Sequence, residues 1–191
     1  MKKRVCLLMT LLLCVSALGS GCGKKTENAE KNEFSVWSTY NTKKVLQQAE
    51  QNETYEKLPA EISVQMMQDE KEGAQLIITA DRDMTYTLKA GEMKSDDGNV
   101  IPMENISIYQ QQYLTIESNT NGHPEFEAGD YIPDMLLPME KAVEYGENTI
   151  KKGNNQGITV EFDSEGVEPG IYKGTFLLEI DGEKTEIPAT T

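Results

Sequence analysis

The stretch Glu168–Pro188, EPGIYKGTFLLEIDGEKTEIP, predicts a β-hairpin, and this hairpin indicates the class of the fold. Successive residues of a strand point to opposite faces of a sheet. One face of the first half is therefore apolar, and it is formed by Tyr172, Phe176, Leu178 and Ile180. The other face is mainly polar, so the strand covers a core on one side, as in a layered antiparallel sheet.

The turn of the hairpin sets its register. Asp181–Gly182 suits the two positive-φ positions of a type I′ turn. With that turn, Glu179 lies opposite Lys184 on the polar face, and Phe176 lies opposite Ile187 on the apolar face. Both pairs are favourable, and a slip of one residue would break them.

Other segments with strand character recur at intervals of about 10 to 20 residues, separated by turn-forming residues. They are FSVWST (34–39), EISVQMM (61–67), AQLIITAD (74–81), MTYTLKA (84–90), ENISIYQQQYLTIE (104–117) and NNQGITVEF (154–162). Leu76–Ile78 is apolar on both faces and predicts a central strand. In the long strand, the side chains expected to face inward are Ile106, Ile108, Leu114 and Ile116.

The connections complete the predicted fold. A short helix is expected to open at Pro138 and to end at Gly146. Residues 41–53 fit either a short helix or a polar connection, and the Pro169–Gly170 pair predicts a turn with Gly170 in a left-handed conformation. The chain is thus predicted to be all-β: an antiparallel two-sheet β-sandwich, immunoglobulin-like or jelly-roll-like, with one short helix and an N-terminal signal segment.

The first 22 residues have the features of a bacterial secretory signal. The basic residues Lys2–Arg4 precede the apolar run Val5–Val15, which is too short for a stable membrane span. The ending LGSGC (18–22) resembles a lipobox, although Gly19 stands where leucine is usual. We therefore predict a lipoprotein signal peptide at 1–21 and lipidation of Cys22, which would anchor the protein to a bacterial membrane outside the cytoplasm. The alternative is an ordinary signal peptide that leaves Cys22 as a free thiol.

Cysteine use and charge characterise the chain beyond the signal. Cys6 and Cys14 lie within the signal, so the folded part has no disulfide and must rest on its core.

The polar residues 22–32 predict a flexible tether, and residues 33–191 fit one β-sandwich domain. Residues 1–21 hold three basic and no acidic residues, so their removal leaves 15 basic and 32 acidic residues, a net charge of −17. Such a surface repels nucleic acid, and no nucleic-acid partner is expected.

The residue pattern offers no catalytic centre. The single histidine, His123, falls in a predicted loop, so both a zinc site and a Ser-His-Asp set would lack partners. The sequence contains no phosphate-binding glycine loop, and its scattered acids single out no carboxylate pair. We therefore predict no catalytic residue, no metal and no cofactor.

Aromatic side chains are the remaining candidates for binding, because sugar rings stack on exposed aromatic rings. The candidates are Trp37, Tyr40, Tyr109, Tyr113 and Tyr131. Trp37 lies in a predicted strand, where a core position is the favoured interpretation. Tyr131 lies in a segment that we predict to be a loop, beside Pro133 and Asp134, where exposure is expected.

Two stretches carry a family resemblance: AGDYIPDMLLPM (128–139) and GENTIKKGNNQGITVEFDSEGVEPGIYKGTF (146–176). Together with FSVWST (34–39) and EGAQLIITAD (72–81), they resemble the N-terminal β-sandwich domain of glycoside hydrolase family 123 and its uncharacterised relatives, over nearly all of Phe34–Pro188. In that family the sandwich precedes a (β/α)₈ barrel. The barrel carries an adjacent Asp-Glu pair, and the substrate's acetamido group assists hydrolysis of N-acetylgalactosaminides. The barrel's catalytic residues have no counterpart in this sequence.

The resemblance implies a fold and a docking surface rather than an active site. We predict a non-catalytic accessory domain of a glycoside-hydrolase-like system, with the segment Tyr131–Pro138 near a catalytic partner. The expected partners are a membrane, through lipidated Cys22, a glycan, and a catalytic barrel supplied separately. The candidate contacts are Tyr131, Pro133, Asp134 and Trp37. Two alternatives are a free-standing surface lipoprotein that binds carbohydrate or protein, and a glycosidase that uses an unrecognised carboxylate pair.

Overall fold

The computed structural model describes residues 33–52, 55–118, 122 and 126–191. The predicted signal peptide (1–21), the tether (22–32) with Cys22, and His123 lie outside these residues. They remain predictions.

The described chain is built mainly from β-strands. The strands are β1 (Phe34–Thr39), β2 (Ile62–Ser63), β3 (Lys71–Ala80), β4 (Met84–Ala90), β5 (Lys94–Ser95), β6 (Ile106–Thr115), β7 (Tyr131–Pro138), β8 (Thr149–Ile150), β9 (Asn155–Asp163), β10 (Tyr172–Ile180) and β11 (Glu183–Thr190). One α-helix, α1, spans Met139–Tyr145, and two 3-10 turns span Ala49–Asn52 and Met103–Asn105.

The strands form two sheets. The five-stranded sheet has the order β1-β3-β9-β6-β7, and the six-stranded sheet has the order β2-β11-β10-β4-β8, with β5 also paired to β10. All described strand pairs are antiparallel except β2 with β11, which is parallel. The predicted two-sheet β-sandwich is confirmed, with one parallel pair that the prediction did not contain.

The C-terminal hairpin has the predicted register. Glu179 pairs with Lys184, and Phe176 pairs with Ile187. Asp181 and Gly182 have φ values of 48° and 90°, which are the two positive values that a type I′ turn requires. This hairpin lies inside the six-stranded sheet and supplies much of its core face.

The main core lies between the sheets. Phe162 of β9 and Phe176 of β10 meet edge to face, with ring centroids 6.2 Å apart. Leu76–Ile78 of β3 is fully buried, and β3 lies between β1 and β9, so the predicted central strand is confirmed. Ile77 faces away from the main core into a smaller cluster with Trp37 and Val45, on the outer face of the five-stranded sheet.

Helix α1 has the predicted limits. Pro138 is its N-cap, and Gly146 ends it in the left-handed conformation at φ 70°. Proline is well placed before a helix, since its missing N–H would have no partner there.

Several local predictions are wrong. Only Ile62–Ser63 of the segment 61–67 is a strand, because the chain turns at Asp69, where φ is 58°. Of the two alternatives left open for residues 41–53, the structure shows the polar connection, since residues 41–48 are irregular and lead into a 3-10 turn. Gly170 is not left-handed, because the nearby reversal is made at Gly166 instead, where φ is 70°.

Candidate functional site

The segment with the predicted contact residues is a strand, not a loop. Tyr131–Pro138 forms β7, which pairs with β6 from Thr115 opposite Tyr131 to Tyr109 opposite Pro138. The sequence pointed to a loop because the segment contains two prolines, which cannot donate a ladder hydrogen bond. An edge strand tolerates proline, and β7 is the last strand of its sheet.

The structure separates the four predicted contact residues. Tyr131 and Asp134 are exposed, whereas Pro133 is buried. Trp37 is 4% exposed on β1, at the opposite edge of the sheet from β7. Its indole N–H donates to the Thr79 hydroxyl at 2.9 Å, and the Lys57 ammonium lies 5.1 Å from its ring centroid. Trp37 therefore acts as a packing residue in this fold, and its ring is covered.

Large apolar side chains are exposed along β7 and the end of β6. We call them the β6–β7 apolar surface, and they are Leu114, Tyr131, Met135 and Leu136, each between 39% and 52% exposed. Leu114 was expected to face inward, and that prediction is wrong. β9 pairs with β6 only over Ile106–Gln110, so Leu114 lies beyond the covered part of the strand. The register shift between Gln112 and Tyr113 places the extra residue, Asp134, on β7.

The apolar surface wraps around the sheet edge. Tyr131 lies opposite Thr115, and Leu114 lies opposite Ile132, so neighbouring members point to different faces of the sheet. Exposed strand edges are usually protected by charge or by a covering segment. Here the edge carries Pro133 and Pro138, a register shift at Asp134, and one ion pair, in which Lys44 meets Asp134 at 3.2 Å with both side chains roughly half exposed. Such a pair contributes little to stability.

The segment before β2 crosses the outer face of the same sheet. The Gln47 backbone N–H donates to the Tyr131 carbonyl at 3.0 Å, and the Lys44 ammonium donates to the Pro133 carbonyl at 3.2 Å. These contacts link residues 44–47 to β7. They leave a polar recess between this segment and the sheet.

A cavity of about 370 Å³ occupies this recess, and a second of about 470 Å³ adjoins it at the end of β1, beside residues 61–65; we call the two together the outer groove. They share the lining residues Asn41, Glu72, Gly73 and Gln75. Both volumes fall in the range typical of ligand pockets, roughly 300–1,000 Å³. Tyr40, 58% exposed, lines the larger cavity, and Met135 and Leu136 line the smaller one, where it meets β7.

A hydrogen-bonded pair of glutamines forms part of the groove floor. The Gln75 amide N–H₂ donates to the Tyr40 and Lys43 carbonyls at 3.2 and 3.0 Å. Gln75 Oε1 must therefore face Gln111, whose amide donates to it at 2.7 Å and to the Thr159 hydroxyl at 3.1 Å. The network fixes both amides in one orientation. It also ties the covering segment to three strands.

Two glycines make space for these side chains. A Cβ on Gly157 would lie 1.9 Å from Gln111 Oε1, so the amide of Gln111 occupies the place where a side chain would stand. A Cβ on Gly73 would lie 2.9 Å from Asn41 Nδ2, at the junction of the two cavities. The absence of side chains at these positions lets Gln111 and Asn41 approach the sheet closely.

The two cavities of the groove differ in charge. The smaller cavity is lined by three lysines, Lys43, Lys44 and Lys71, and by three acids, Glu72, Asp134 and Glu161, whereas the larger one has Glu61 and Glu72 and no basic residue. Lys71 pairs with Asp163 at 3.0 Å, and the hydrogen bond from Lys71 to that carboxylate raises the pKa of Lys71. The pKa of Asp163 is lowered, first by the Glu165 backbone N–H and then by Lys71. The groove is thus polar, balanced in its smaller cavity and acidic in its larger one, in a chain with a net charge of −14.

The other candidate tyrosines serve different roles. Tyr113 is engaged by the sheet, since the Gly157 backbone N–H donates to its hydroxyl oxygen at 3.0 Å, and burial raises the pKa of Tyr113. Tyr109 is half-buried and lines a separate, more apolar cavity of about 830 Å³ beside α1. Sequence reasoning named Tyr40 among the aromatics but gave no signal for the groove around it.

Metal and membrane features are absent from the part of the chain that the structure describes. Across residues 33–52, 55–118, 122 and 126–191, no three histidine, cysteine or acidic side chains come together as metal ligands. Within the same residues, no helix has the length and apolar character needed to cross a bilayer.

Comparison with known proteins shows a likeness in fold to one solved enzyme structure. No family model and no curated protein matches the chain. Among solved structures, a family 123 glycoside hydrolase from Clostridium perfringens, studied for glycolipid glycan hydrolysis, superposes with a TM-score of 0.62 at 12% identity. The match covers 82% of this chain and 26% of that enzyme, so this chain corresponds to about a quarter of the enzyme's length. At this identity the likeness shows a fold like that of part of a family 123 enzyme.

A second solved structure aligns more loosely. AvmM, which catalyses macrocyclization in alchivemycin A biosynthesis, has a TM-score of 0.30 at 12% identity, over 70% of this chain and 84% of that chain. A superposition this loose carries no functional argument.

Proposed function

We propose that this chain is a non-catalytic β-sandwich module of a glycan-degrading system, and that it docks a glycoside-hydrolase catalytic domain on the β6–β7 apolar surface. The module is anchored outside the cytoplasm through lipidated Cys22. The observation that carries the docking is the apolar edge itself, with Tyr131, Met135 and Leu136 exposed on a strand whose outer side has no strand partner in the described residues.

Physical reasoning supports a protein partner at this edge. Large apolar side chains exposed at one strand edge mark an interaction surface, and here they occupy both sides of the edge. Leu136 lies on one side of the edge and Met135 and Leu114 on the other, which suits a partner that wraps the edge, while Lys44 and Asp134 lie beside them as a polar rim. The partner class comes from the fold likeness to one part of a longer family 123 enzyme.

The test is co-purification from the native organism with one substitution at the surface. We expect the tagged chain to retain a protein that mass spectrometry identifies as a glycoside-hydrolase catalytic domain, and Leu136→Asp to release it. Ile171→Asp is the matched control, because Ile171 is 66% exposed but lies next to β10 in the other sheet. Retention of that partner by Leu136→Asp, or its absence from the wild-type sample, would contradict the proposal.

The non-catalytic part has its own test. The purified chain is expected to release no chromophore from a chromogenic N-acetylhexosaminide above the buffer rate. Turnover that survives repeated purification would establish the alternative, a glycosidase with a carboxylate pair inside this chain.

A further inference from the structure

We infer that the outer groove binds a short uncharged carbohydrate, with the Tyr40 ring as a stacking platform and the Asn41 amide as a hydrogen-bonding group. The binding groups of this site lie on residues 40–43 and β3, whereas the docking proposed above uses β7; the two surfaces meet where residues 133–136 line the smaller cavity. Tyr40 and Asn41 are not among the four contact residues predicted from the sequence, of which Pro133 and Asp134 line the smaller cavity.

The aromatic platform is the first element of the argument. Tyr40 is 58% exposed and stands at the end of β1, where it lines the larger cavity of the groove. Its backbone carbonyl accepts from the buried Gln75 amide at 3.2 Å, so the residue is anchored while its ring remains open to solvent. An anchored, exposed ring loses little freedom when an apolar sugar face covers it.

The second element is the presence of polar groups with spare bonding capacity. Asn41 and Lys43 line the groove, and neither side chain has a hydrogen-bond partner among the described residues. An amide offers both donors and acceptors, and an ammonium offers donors. Sugar hydroxyls both donate and accept, so this mixture suits a ligand with many hydroxyl groups.

The third element is the preformed shape. Gln75 and Gln111 hold each other in one orientation, which fixes the floor below the entry of a ligand. Gly73 lets Asn41 lie against the sheet where the two cavities meet. A groove that is already shaped avoids the ordering cost that a mobile surface would add to binding.

The charges that line the groove favour a neutral ligand, because the larger cavity holds Glu61 and Glu72 without a basic residue. Three lysines and three acids line the smaller cavity, so an acidic sugar would meet carboxylates as often as ammonium groups. The strongly negative surface of the whole chain would repel it further. The expected ligand is therefore a neutral oligosaccharide.

The test is a glycan array followed by titration. We expect the purified protein to retain neutral oligosaccharides and not uronic or sialic acid glycans. The best neutral glycan is then titrated by ¹⁵N NMR, with Tyr40→Ala expected to weaken binding about tenfold and Asn41→Ala about threefold to tenfold. Tyr145→Ala is the matched control, because Tyr145 is 60% exposed on α1 and lines neither cavity of the groove.

Each outcome decides the inference. Retention of a neutral glycan, with weakened binding in both groove variants and unchanged binding in Tyr145→Ala, supports it. No neutral glycan retained, retention of acidic glycans only, or binding that neither groove variant weakens would overturn it. The NMR spectra of the variants verify folding. A loss of partner in Leu114→Asp with normal glycan binding would separate this site from the docking surface, because Leu114 belongs to the β6–β7 apolar surface and lines neither cavity of the groove.

Discussion

The hydroxyl of Tyr86 on β4 donates a hydrogen bond of 2.5 Å to Oε1 of Gln110 on β6, across the interior of the sandwich. Both residues are buried, and they belong to different sheets. The Gln110 amide in turn donates to the carbonyl of Glu147 at 3.2 Å, just after α1. One polar chain therefore links the two sheets and the connection after the helix. Burial is the main reason that the pKa of Tyr86 is raised, so the hydroxyl keeps its proton.

Removal of this hydroxyl should cost stability. Tyr86→Phe leaves Gln110 Oε1 buried without its donor, and we expect the free energy of unfolding to fall by about 1–3 kcal/mol. Urea denaturation followed by fluorescence measures the change. Tyr145→Phe, at an exposed position, is the control and should change stability by less than about 0.5 kcal/mol. Equal effects in the two variants would show that the buried hydrogen bond contributes nothing.

The turn of the C-terminal hairpin should make a pH-dependent contribution to the free energy of unfolding, through Asp181. The pKa of Asp181 is lowered to about 2 by the Thr85 backbone N–H, by Arg82 and by the Thr85 hydroxyl. A lowered carboxyl pKa stabilises the fold above the unfolded-state value near 4, and the contribution is lost as pH falls from about 4 through 2. The side chain is 31% exposed, so after allowance for solvent screening we expect about 1–2 kcal/mol.

The Asp181→Asn substitution isolates this effect, because Asn-Gly also favours a type I′ turn. Between pH 7 and pH 2.5, the wild type should lose about 1 kcal/mol more stability than this variant in urea denaturation. Asp97→Asn is the control, since Asp97 also precedes a glycine in an exposed turn but has no ion pair within the described part of the chain. Identical pH profiles for wild type and Asp181→Asn would refute the assignment.

Close packing between β10 and its neighbours should make Gly174 sensitive to substitution. A Cβ there would lie 2.3 Å from the Glu92 carbonyl oxygen and 2.7 Å from the Met93 sulfur. We expect Gly174→Ala to lower the free energy of unfolding by about 1–3 kcal/mol, because the backbone at Glu92 would have to move to make room for the methyl group. At Gly170 the nearest atom would be 3.5 Å away, so Gly170→Ala should be close to neutral. Thermal unfolding of the two variants compares them directly, and equal midpoints would rule out the clash.

Local features of this chain can be derived from its sequence. The hairpin could be predicted with its register because a two-residue Asp181–Gly182 turn leaves one pairing that keeps Phe176 inside. Helix α1 could be predicted because Pro138 and Gly146 mark its ends. In both cases, the deciding residues are neighbours in the chain.

The misjudged features depend on strand order. Tyr131–Pro138 looks like a loop, and it is a strand because β6 lies beside it at an edge where proline is tolerated. The groove floor joins Gln75, Gln111 and Thr159, which come from β3, β6 and β9. Alternation places each of these side chains on a face, but the order of strands that brings them together comes from packing of the two sheets.

The central claim is that the β6–β7 apolar surface faces a catalytic domain, and a site-specific photo-crosslink tests it most directly. A benzophenone side chain replaces Leu136, with Ile171 as the control position, and the protein is irradiated in its native organism. The account predicts an adduct at position 136 whose peptides come from a glycoside-hydrolase catalytic domain, with no such adduct at position 171. Absence of that adduct at 136, or the same adduct from both positions, would contradict it.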